Sequence, residues 1–276
     1  MQKSILITGC SSGIGLDAAR SMRNRGWRVF ASCRQQRDCD RMRTEGFDAP
    51  RIDYCDADSI TTGLAEVLAA TGGTLDALFN NGAHGLPGAI EDLATDGLRE
   101  IFETNVFGWH ELTRQVLPVM RAQGHGRIVQ NSSILGLVSF PWRGAYVATK
   151  YALEGLSDTL RVELSDTDIK VVLIEPGPVT SKFRENAIPH FERHIDWENS
   201  ALRPRYENSL LKRLYESAGP DRFELPASAV TAKLIHACES RHPRPRYYVT
   251  TPTYIAGFLR RILTTRAIDR ILARLK

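Results

Sequence analysis

Short apolar runs alternate along the chain with longer segments in which apolar residues recur every three or four positions. The short runs predict β-strands, and the longer segments predict amphipathic helices. Strands are expected at residues 4–8, 28–33, 50–53, 77–80, 127–131, 170–175 and 246–250. Helices are expected at residues 14–25, 59–70, 96–123, 145–164 and 227–240. Gly26 follows the first helix, where a left-handed residue commonly ends a helix.

Strands that alternate with helices indicate right-handed βαβ units and a parallel sheet covered on both faces. We therefore predict an α/β fold with a doubly wound parallel sheet of about seven strands. Residues 1–252 are expected to form one domain. Its alternation is interrupted at residues 180–226, which we interpret as an insertion, and residues 253–276 form a C-terminal extension.

Composition and charge narrow the class of protein. Of the 276 residues, 42% are apolar and 25% charged, and no apolar run is long enough to span a bilayer. The five cysteines have no metal-ligand spacing, and the first strand begins too early for a secretion signal, so we expect reduced thiols in the cytoplasm. The net charge is +4, but residues 253–276 carry +5. The rest lacks the basic excess of a nucleic-acid-binding protein.

Glycines cluster where the first predicted strand ends. Thr8-Gly9 closes the strand, and Gly13-Ile14-Gly15 begins the helix. Such a turn lets a pyrophosphate approach the backbone at the positive end of a helix. The same glycines would also suit a plain tight loop, but the strand before them and the helix after them favour a dinucleotide site.

Further motifs follow in a recognisable order: Asn80-Asn81-Gly82-Ala83, Asn105, Ser133, Tyr146-x3-Lys150 and Pro176-Gly177. Together with the glycine turn, they resemble the short-chain dehydrogenase/reductase family, over residues 1–181 and more loosely to residue 250. The sequence around Tyr146 is most similar to the hydroxysteroid/retinol dehydrogenase-like and aldehyde-reductase branch. The resemblance implies a Rossmann-type fold, a homo-oligomer, and hydride transfer between a nicotinamide and a carbonyl/alcohol pair.

The end of the second strand predicts which nicotinamide cofactor binds. A carboxylate there would accept the ribose 2′-hydroxyl, whereas Arg34 suits the 2′-phosphate of NADP(H), unless it is only a solvated loop residue. Asp53 resembles the family's adenine-binding aspartate but would equally cap the helix near Ser59. The resemblance extends the cofactor contacts to Gly9, Ser11, Ser12, Gly13, Ile14, Tyr54, Asn81, Gly82, Ala83, Tyr146, Lys150, Pro176, Gly177, Val179 and Ser181.

Tyr146 and Lys150 are the candidate acid–base pair. Four residues apart on a helix, they share one face, and a nearby ammonium lowers the pKa of a phenol. Such a phenol can exchange a proton with a carbonyl oxygen. Ser133 lies thirteen residues before the tyrosine, the family separation, and is expected to stabilise charge on the substrate oxygen. Ser132 would replace it only if the register slipped by one residue.

Asn105 interrupts an otherwise helical pattern. It would suit a solvated polar face, but the resemblance implies a helix distortion that holds a water between Lys150 and solvent. Two departures affect cofactor contact: Gly82-Ala83 is the family's order exchanged, and Ser181 replaces the usual threonine. Three histidines, His84, His110 and His125, have no ligand spacing, so no metal is expected.

The insertion matches the position of the family's substrate lid. Its larger side chains predict either an apolar pocket or packing of lid on body: Phe183, Phe191, Trp197, Leu202, Tyr206, Leu210, Leu211 and Leu214. We expect an apolar aldehyde or ketone of the hydroxysteroid, retinoid or fatty-aldehyde kind. A 3-oxoacyl reductase and a non-catalytic NADP-binding redox sensor are the alternatives.

The C-terminal extension predicts two amphipathic helices. The first carries Ile255, Phe258, Leu259 and Ile262 on one stripe. The second, capped by Thr264 or Thr265, carries Ile268, Ile271, Leu272 and Leu275. The stripe would pack on the body, pair subunits, or lie in a membrane surface. Because packing does not need the charge of +5, we favour peripheral membrane association of an otherwise cytoplasmic enzyme.

Overall fold

A computed structural model describes residues 2–216 and 219–274, which fold around a parallel sheet. The strand order is β2-β1-β3-β4-β5-β6. The strands are β1 (Ser4–Ile7), β2 (Arg28–Ala31), β3 (Ala77–Asn80), β4 (Gly126–Asn131), β5 (Ile169–Glu175) and β6 (Arg246–Tyr248). The predicted doubly wound α/β fold is confirmed.

Helices cover both faces of this sheet. They are α1 (Gly13–Asn24), α2 (Gln36–Thr44), α3 (Ala57–Thr71), α4 (Thr95–Phe102), α5 (Gly108–Gln123), α6 (Gly144–Glu163), α7 (Phe183–His194), α8 (Arg203–Arg205), α9 (Ser228–Glu239), α10 (Thr251–Ile262) and α11 (Thr265–Leu272). A wide π turn, Glu103–Phe107, separates α4 from α5, and two more, Tyr206–Leu210 and Lys212–Glu216, follow α8.

Neighbouring residues of each strand enter different cores. Ile5 and Ile7 of β1 pack with residues of α1, α2 and α9, whereas Leu6 packs with residues of α3, α5 and α6. This follows from the two-residue period of a strand, and burial on both faces explains why the strands read as continuous apolar runs.

The sheet has six strands where seven were predicted. Residues 50–53 form only an isolated bridge between Arg51 and Cys33, with one backbone hydrogen bond of 3.1 Å from Ile52 N to Cys33 O. Pro50 has no N–H to donate, so a regular ladder does not extend there. Helix α2 was not predicted, because only Cys39 and Met42 of its nine residues are buried.

The insertion after β5 closes on itself and packs on the body. Val179 forms a parallel bridge with Leu225, so the two ends of the insertion meet. Between them, the lid helix α7 and the turns after α8 contribute buried residues to a third core that also includes body residues of α4 and α6: Phe191, Tyr206, Leu210 and Leu214. Packing of lid on body is therefore the main role of these predicted apolar positions.

The C-terminal extension lies on the body with its apolar stripe outward. Helix α10 buries Thr253 and Gly257, whereas Phe258 and Ile262 are 62% and 59% exposed. Helix α11 has no buried residue within the described part, and its N-cap Thr264 makes no capping side-chain hydrogen bond there. Leu275 lies outside the described residues. No helix in residues 2–216 and 219–274 combines the length and apolarity needed to cross a bilayer.

Candidate active site

One cavity opens at the carboxyl ends of the strands, between the glycine turn and the lid. Its volume is about 2030 Å³. All the predicted catalytic and cofactor-binding residues lie in its wall except Asn105. Ligands of open α/β sheets bind at this edge, so the predicted site residues are brought together where the fold itself favours binding.

The glycine turn requires glycine for space and for backbone angle. Gly9 and Gly13 have φ values of +69° and +55°, in the left-handed region. A Cβ on Gly9 would lie 2.7 Å from the Cα of Gly82, and one on Gly15 would lie 2.3 Å from the oxygen of Gly9. The exchanged Gly82-Ala83 pair therefore keeps the close approach between the two loops, because glycine stands where they touch.

The same turn fits the phosphates of a dinucleotide. Ser12 has extended backbone and leads into α1, and its side chain makes no capping hydrogen bond in the described part of the chain. The first N–H groups of α1 therefore face the cavity with little side-chain bulk over them, the arrangement that binds phosphate at helix N-termini.

The corner beside β2 is basic. Arg34 and Arg37 are exposed residues of the cavity wall. The first acid after the strand, Asp38, is 3.3 Å from Arg41, whose guanidinium also donates a 2.6 Å hydrogen bond to Ser11 O. Arg34 therefore stands directly after Ser32-Cys33, and Asp38, also in the cavity wall, lies four residues further along the chain.

Asp53 does not cap a helix. Its Oδ1 accepts a hydrogen bond of 3.1 Å from Cys55 N, whereas Asp56 caps α3 through a bond of 3.0 Å from Ser59 N. The hydroxyl of the adjacent residue, Tyr54, hydrogen-bonds to Thr8 Oγ1 at 2.8 Å and to Asn80 Oδ1 at 2.7 Å. The ring of Tyr54 lines the cavity, but its polar atom holds the two loops together.

Tyr146 and Ser133 face each other in the cavity. The phenol lies beside Ser133, whose Oγ donates to Pro176 O at 3.5 Å and accepts a 3.1 Å bond from Leu135 N. Ser132 donates to the carboxylate of Glu154 instead. The serine in the predicted register is therefore the one beside the tyrosine. Burial raises the pKa of Tyr146, and the Ser133 hydroxyl opposes that rise.

Lys150 is buried beneath the tyrosine. Its Nζ donates a 2.8 Å hydrogen bond to Asn131 O and lies 4.4 Å from the ring centroid of Trp109 and 5.4 Å from that of Tyr146. Burial lowers the pKa of Lys150 to about 7, against the opposing charge of Glu154. The pKa of the phenol is raised where a lowering was expected, and burial is the cause.

Asn105 lies in the π turn between α4 and α5, so the expected helix distortion is present. The side chain is fully buried, and the solvated-face interpretation is wrong. Its Nδ2 donates to His84 O at 2.9 Å and to Thr149 Oγ1 at 3.4 Å, and its Oδ1 accepts from His84 N at 3.1 Å. The side chain therefore fixes the loop after β3.

The wall beyond β5 is held by backbone contacts. Pro176 O accepts a 2.8 Å bond from Ile134 N, and a Cβ on Gly177 would lie 2.2 Å from Thr250 Oγ1. Ser181 keeps the hydroxyl of the usual threonine and donates to Val179 O at 3.3 Å. The segment is thus hydrogen-bonded to the turn after β4 and lies close against Thr250, the residue before α10.

The sequence analysis did not identify the residues that hold the predicted catalytic side chains in place. Asn131 receives Lys150 on its backbone oxygen and donates from Nδ2 to Asn81 Oδ1 at 2.8 Å. Its place at the last residue of β4 was the available signal. Trp109, under Lys150, gave no such signal, because its position in the sequence is that of an ordinary apolar core residue. Phe183, predicted as a lid residue, lies edge-on to Tyr146 with 5.2 Å between ring centroids.

Known proteins resemble this chain over most of its length. A sequence profile for short chain dehydrogenase matches residues 3–190. The uncharacterized oxidoreductase YbbO of Escherichia coli K12 is 41% identical over 272 residues, covering 99% of this chain and 94% of that protein. Retinol dehydrogenase 16 of Mus musculus is 33% identical, covering 89% of this chain and 80% of that one.

Solved structures share the fold. A short-chain dehydrogenase from Streptomyces avermitilis superposes with a TM-score of 0.75 at 27% identity, covering 100% of this chain and 96% of its own. A short chain dehydrogenase/reductase from Burkholderia phymatum, in complex with NAD, gives 0.77 at 24% identity, covering 99% and 95%.

Proposed function

The chain belongs to the short-chain dehydrogenase family, and from that premise we propose that it transfers a hydride between NADP(H) and an apolar carbonyl/alcohol pair. The family consists of oxidoreductases that interconvert CH–OH and C=O groups, and this chain is one of them. One observation carries the proposal: Tyr146, Ser133 and Lys150 line the same cavity as the glycine turn.

Tyr146 is the proposed proton donor. When bound, the nicotinamide supplies or accepts the hydride. Because burial raises the pKa of Tyr146, the phenol is protonated at neutral pH, which is the state that reduction of a carbonyl requires. Ser133 lies beside it and would stabilise charge on the same substrate oxygen.

We propose that Lys150 and its neighbours position Tyr146 and return a proton to it after each turnover. The lysine is fixed by Asn131 O and the Trp109 ring, and it would hold the cofactor ribose, as the family resemblance implies. The π turn at Asn105 supports the proposed water path, since such turns leave backbone oxygens outside the regular helical ladder.

The preference for NADP(H) rests on charge. Arg34 and Arg37 lie on the cavity wall after β2, and the first acid beyond them is occupied by Arg41. A 2′-phosphate would meet guanidinium groups there, whereas a 2′-hydroxyl would find no carboxylate to accept its proton.

The proposed substrate is an apolar aldehyde or ketone. Beyond Tyr146 the cavity wall is built by apolar residues of the lid and the extension: Phe183, Ile188, Leu214, Ile255, Leu259, Ile268 and Leu272. The similarity to retinol dehydrogenases supports a hydroxysteroid, retinoid or fatty-aldehyde substrate. A 3-oxoacyl reductase would not need this extended wall, and a redox sensor would need neither Ser133 nor Tyr146.

The test is NADPH oxidation with a panel of retinoid, steroid, fatty and small polar carbonyl compounds. We expect turnover that favours the apolar members and depends on NADPH over NADH. Turnover with acyl-carrier thioesters alone would support the 3-oxoacyl alternative. NADPH binding without turnover of any carbonyl would support the sensor.

We further propose that the extension attaches the enzyme to anionic membrane surfaces. The outward side of α10 exposes Tyr254, Phe258 and Ile262, and residues 253–276 carry six basic residues and one acidic residue. Exposed aliphatic and aromatic side chains beside arginines match the apolar and anionic layers of a lipid interface. The same helices border the cavity, so a lipid-dissolved substrate would enter close by.

Vesicle co-sedimentation tests this attachment with the full chain. We expect binding to anionic but not neutral vesicles, weakened by salt, by Phe258→Ser with Ile262→Ser, and by Arg266→Glu with Arg270→Glu. Val162→Ser is the control, because Val162 is a 65% exposed residue of α6, away from the extension. If the unmodified chain does not bind vesicles and the Phe258→Ser, Ile262→Ser variant loses an oligomer that the unmodified chain forms, α10 is instead a subunit contact.

A further inference from the structure

Two histidines and a glutamate join the lid to the body beside the proposed active site. His84 lies after β3, Glu100 on α4, and His190 on the lid helix α7. One nitrogen or oxygen atom from each lies within 4.8 Å of the other two. All three side chains line the cavity, but the proposed hydride transfer uses none of them.

His84 is the unusual member of this cluster. Its side chain is buried at 6% exposure, and neither ring nitrogen has a hydrogen-bond partner among the described residues. Buried polar atoms are normally paired, because leaving one unpaired costs free energy. A neutral imidazole keeps a lone pair on one ring nitrogen, and that atom can bind a metal ion.

The other two members are already arranged around a negative charge. Glu100 accepts hydrogen bonds from His190 Nδ1 at 2.6 Å and His194 Nε2 at 2.8 Å. The carboxylate thus already brings side chains of the lid helix together with α4. The His190 ring stacks on His84, with 3.8 Å between centroids.

We propose that His84, Glu100 and His190 bind a divalent transition-metal ion, with zinc as the best match, and that the ion fastens the lid helix to the body. Two imidazoles and one carboxylate form a known zinc donor set that leaves a fourth position open. Nitrogen ligands select against magnesium and calcium, which take oxygen ligands. His194 would remain on the second carboxylate oxygen as an outer-shell bond.

Ion binding changes the cluster in a defined way. Bonds of about 2.0–2.1 Å in a tetrahedron place ligand atoms about 3.3 Å apart. The stacked rings must therefore turn so that their nitrogens converge, and the 2.6 Å bond between His190 Nδ1 and Glu100 opens to admit the ion. The Nδ1 proton of His190 then moves to Nε2 by exchange with solvent, so the ring stays neutral.

Metal titration of the full-length protein tests the site without reference to activity. Chelator-treated protein is titrated with Zn²⁺ in competition with a chromophoric chelator, and with Co²⁺, whose visible absorption reports tetrahedral ligands. We expect one ion per chain and a zinc-dependent rise in Tm. His84→Ala and His190→Ala should each weaken binding about 100-fold, and His194→Gln about tenfold, as for an outer-shell partner.

His125→Ala is the matched control. His125 Nε2 lies 3.1 Å from Asp76 Oδ1, a surface histidine–carboxylate pair that is not part of a three-ligand cluster in the described residues. Unchanged zinc affinity in this variant supports the site. Equal affinity in the His84 and His190 variants, with Tm values in chelator showing that both fold, overturns it. So does the absence of zinc binding to the unmodified chain, which leaves a hydrogen-bonded lid contact only.

Discussion

Replacing Arg34 with alanine tests how the cavity distinguishes NADPH from NADH. A hydrogen bond to a charged group is worth about 1.5–3 kcal/mol, or roughly ten- to a hundredfold in affinity. Arg34 is exposed at the cavity rim, where salt screens charges over about 8 Å at physiological ionic strength. We therefore expect about a tenfold loss of NADPH affinity there and a larger loss at low salt, with NADH affinity nearly unchanged.

Titration calorimetry with both cofactors at two ionic strengths measures this difference. Arg43→Ala is the control, because Arg43 lies on α2, pairs with Asp40 at 2.9 Å, and is not among the described residues of the cavity wall. An equal loss for NADPH and NADH would mean that Arg34 stacks on adenine without recognising the phosphate. Unchanged affinity for both cofactors would mean that Arg34 is only a solvated loop residue, and would refute the argument that its charge selects NADPH.

Four further substitutions test the site and its support. Tyr146→Phe should lose at least about a hundredfold in turnover, the minimum typical of general acid catalysis, with NADPH affinity kept in a binding assay; a loss under about tenfold contradicts the assigned donor. Lys150→Met should lose turnover and flatten the pH dependence of unfolding. Burial lowers the pKa of Lys150 from 10.5 to about 7, so between these pH values the unfolded chain binds more protons than the folded one. The free energy of unfolding contributed by this group therefore rises with pH across that range, which urea titrations at several pH values would measure. Gly108→Ala should lower the Tm of the protein, because the added Cβ would lie 2.3 Å from Tyr54 Cβ. Gly155→Ala should raise the Tm, because no atom lies within 4 Å of the added Cβ and alanine favours a helix. Similar Tm shifts for both variants would contradict the packing argument.

Local patterns predicted the parts of the site that are contiguous in sequence. The glycine turn and the Tyr146-x3-Lys150 pair follow from strand and helix periodicity, whereas the register of Ser133 was expected from the family resemblance. The structure brings all of them to one cavity. The strand predicted at residues 50–53 does not form, because Pro50 has no N–H to donate to a ladder, although Ala49 and Ile52 are apolar and buried.

Tertiary contacts decided what the sequence could not. The pKa of Tyr146 depends on how deeply the helix packs, which a spacing of four residues does not report. Likewise, the spacing of His84 along the chain gave no reason to expect ligands, since Glu100 and His190 approach it from separate helices. Asn105 was expected from resemblance, but its bonds to the His84 backbone were not.

The bridge between Val179 and Leu225 brings the first and last residues of the lid side by side. A segment whose ends already touch can gain or lose residues at small cost, since doubling a loop adds only about 0.6 kcal/mol of closure entropy. The sheet, the tyrosine and the glycine turn all lie outside this closed segment. The lid can therefore change in length at small entropic cost, but a replacement lid must still supply apolar side chains where Phe191, Tyr206 and Leu210 pack on the body.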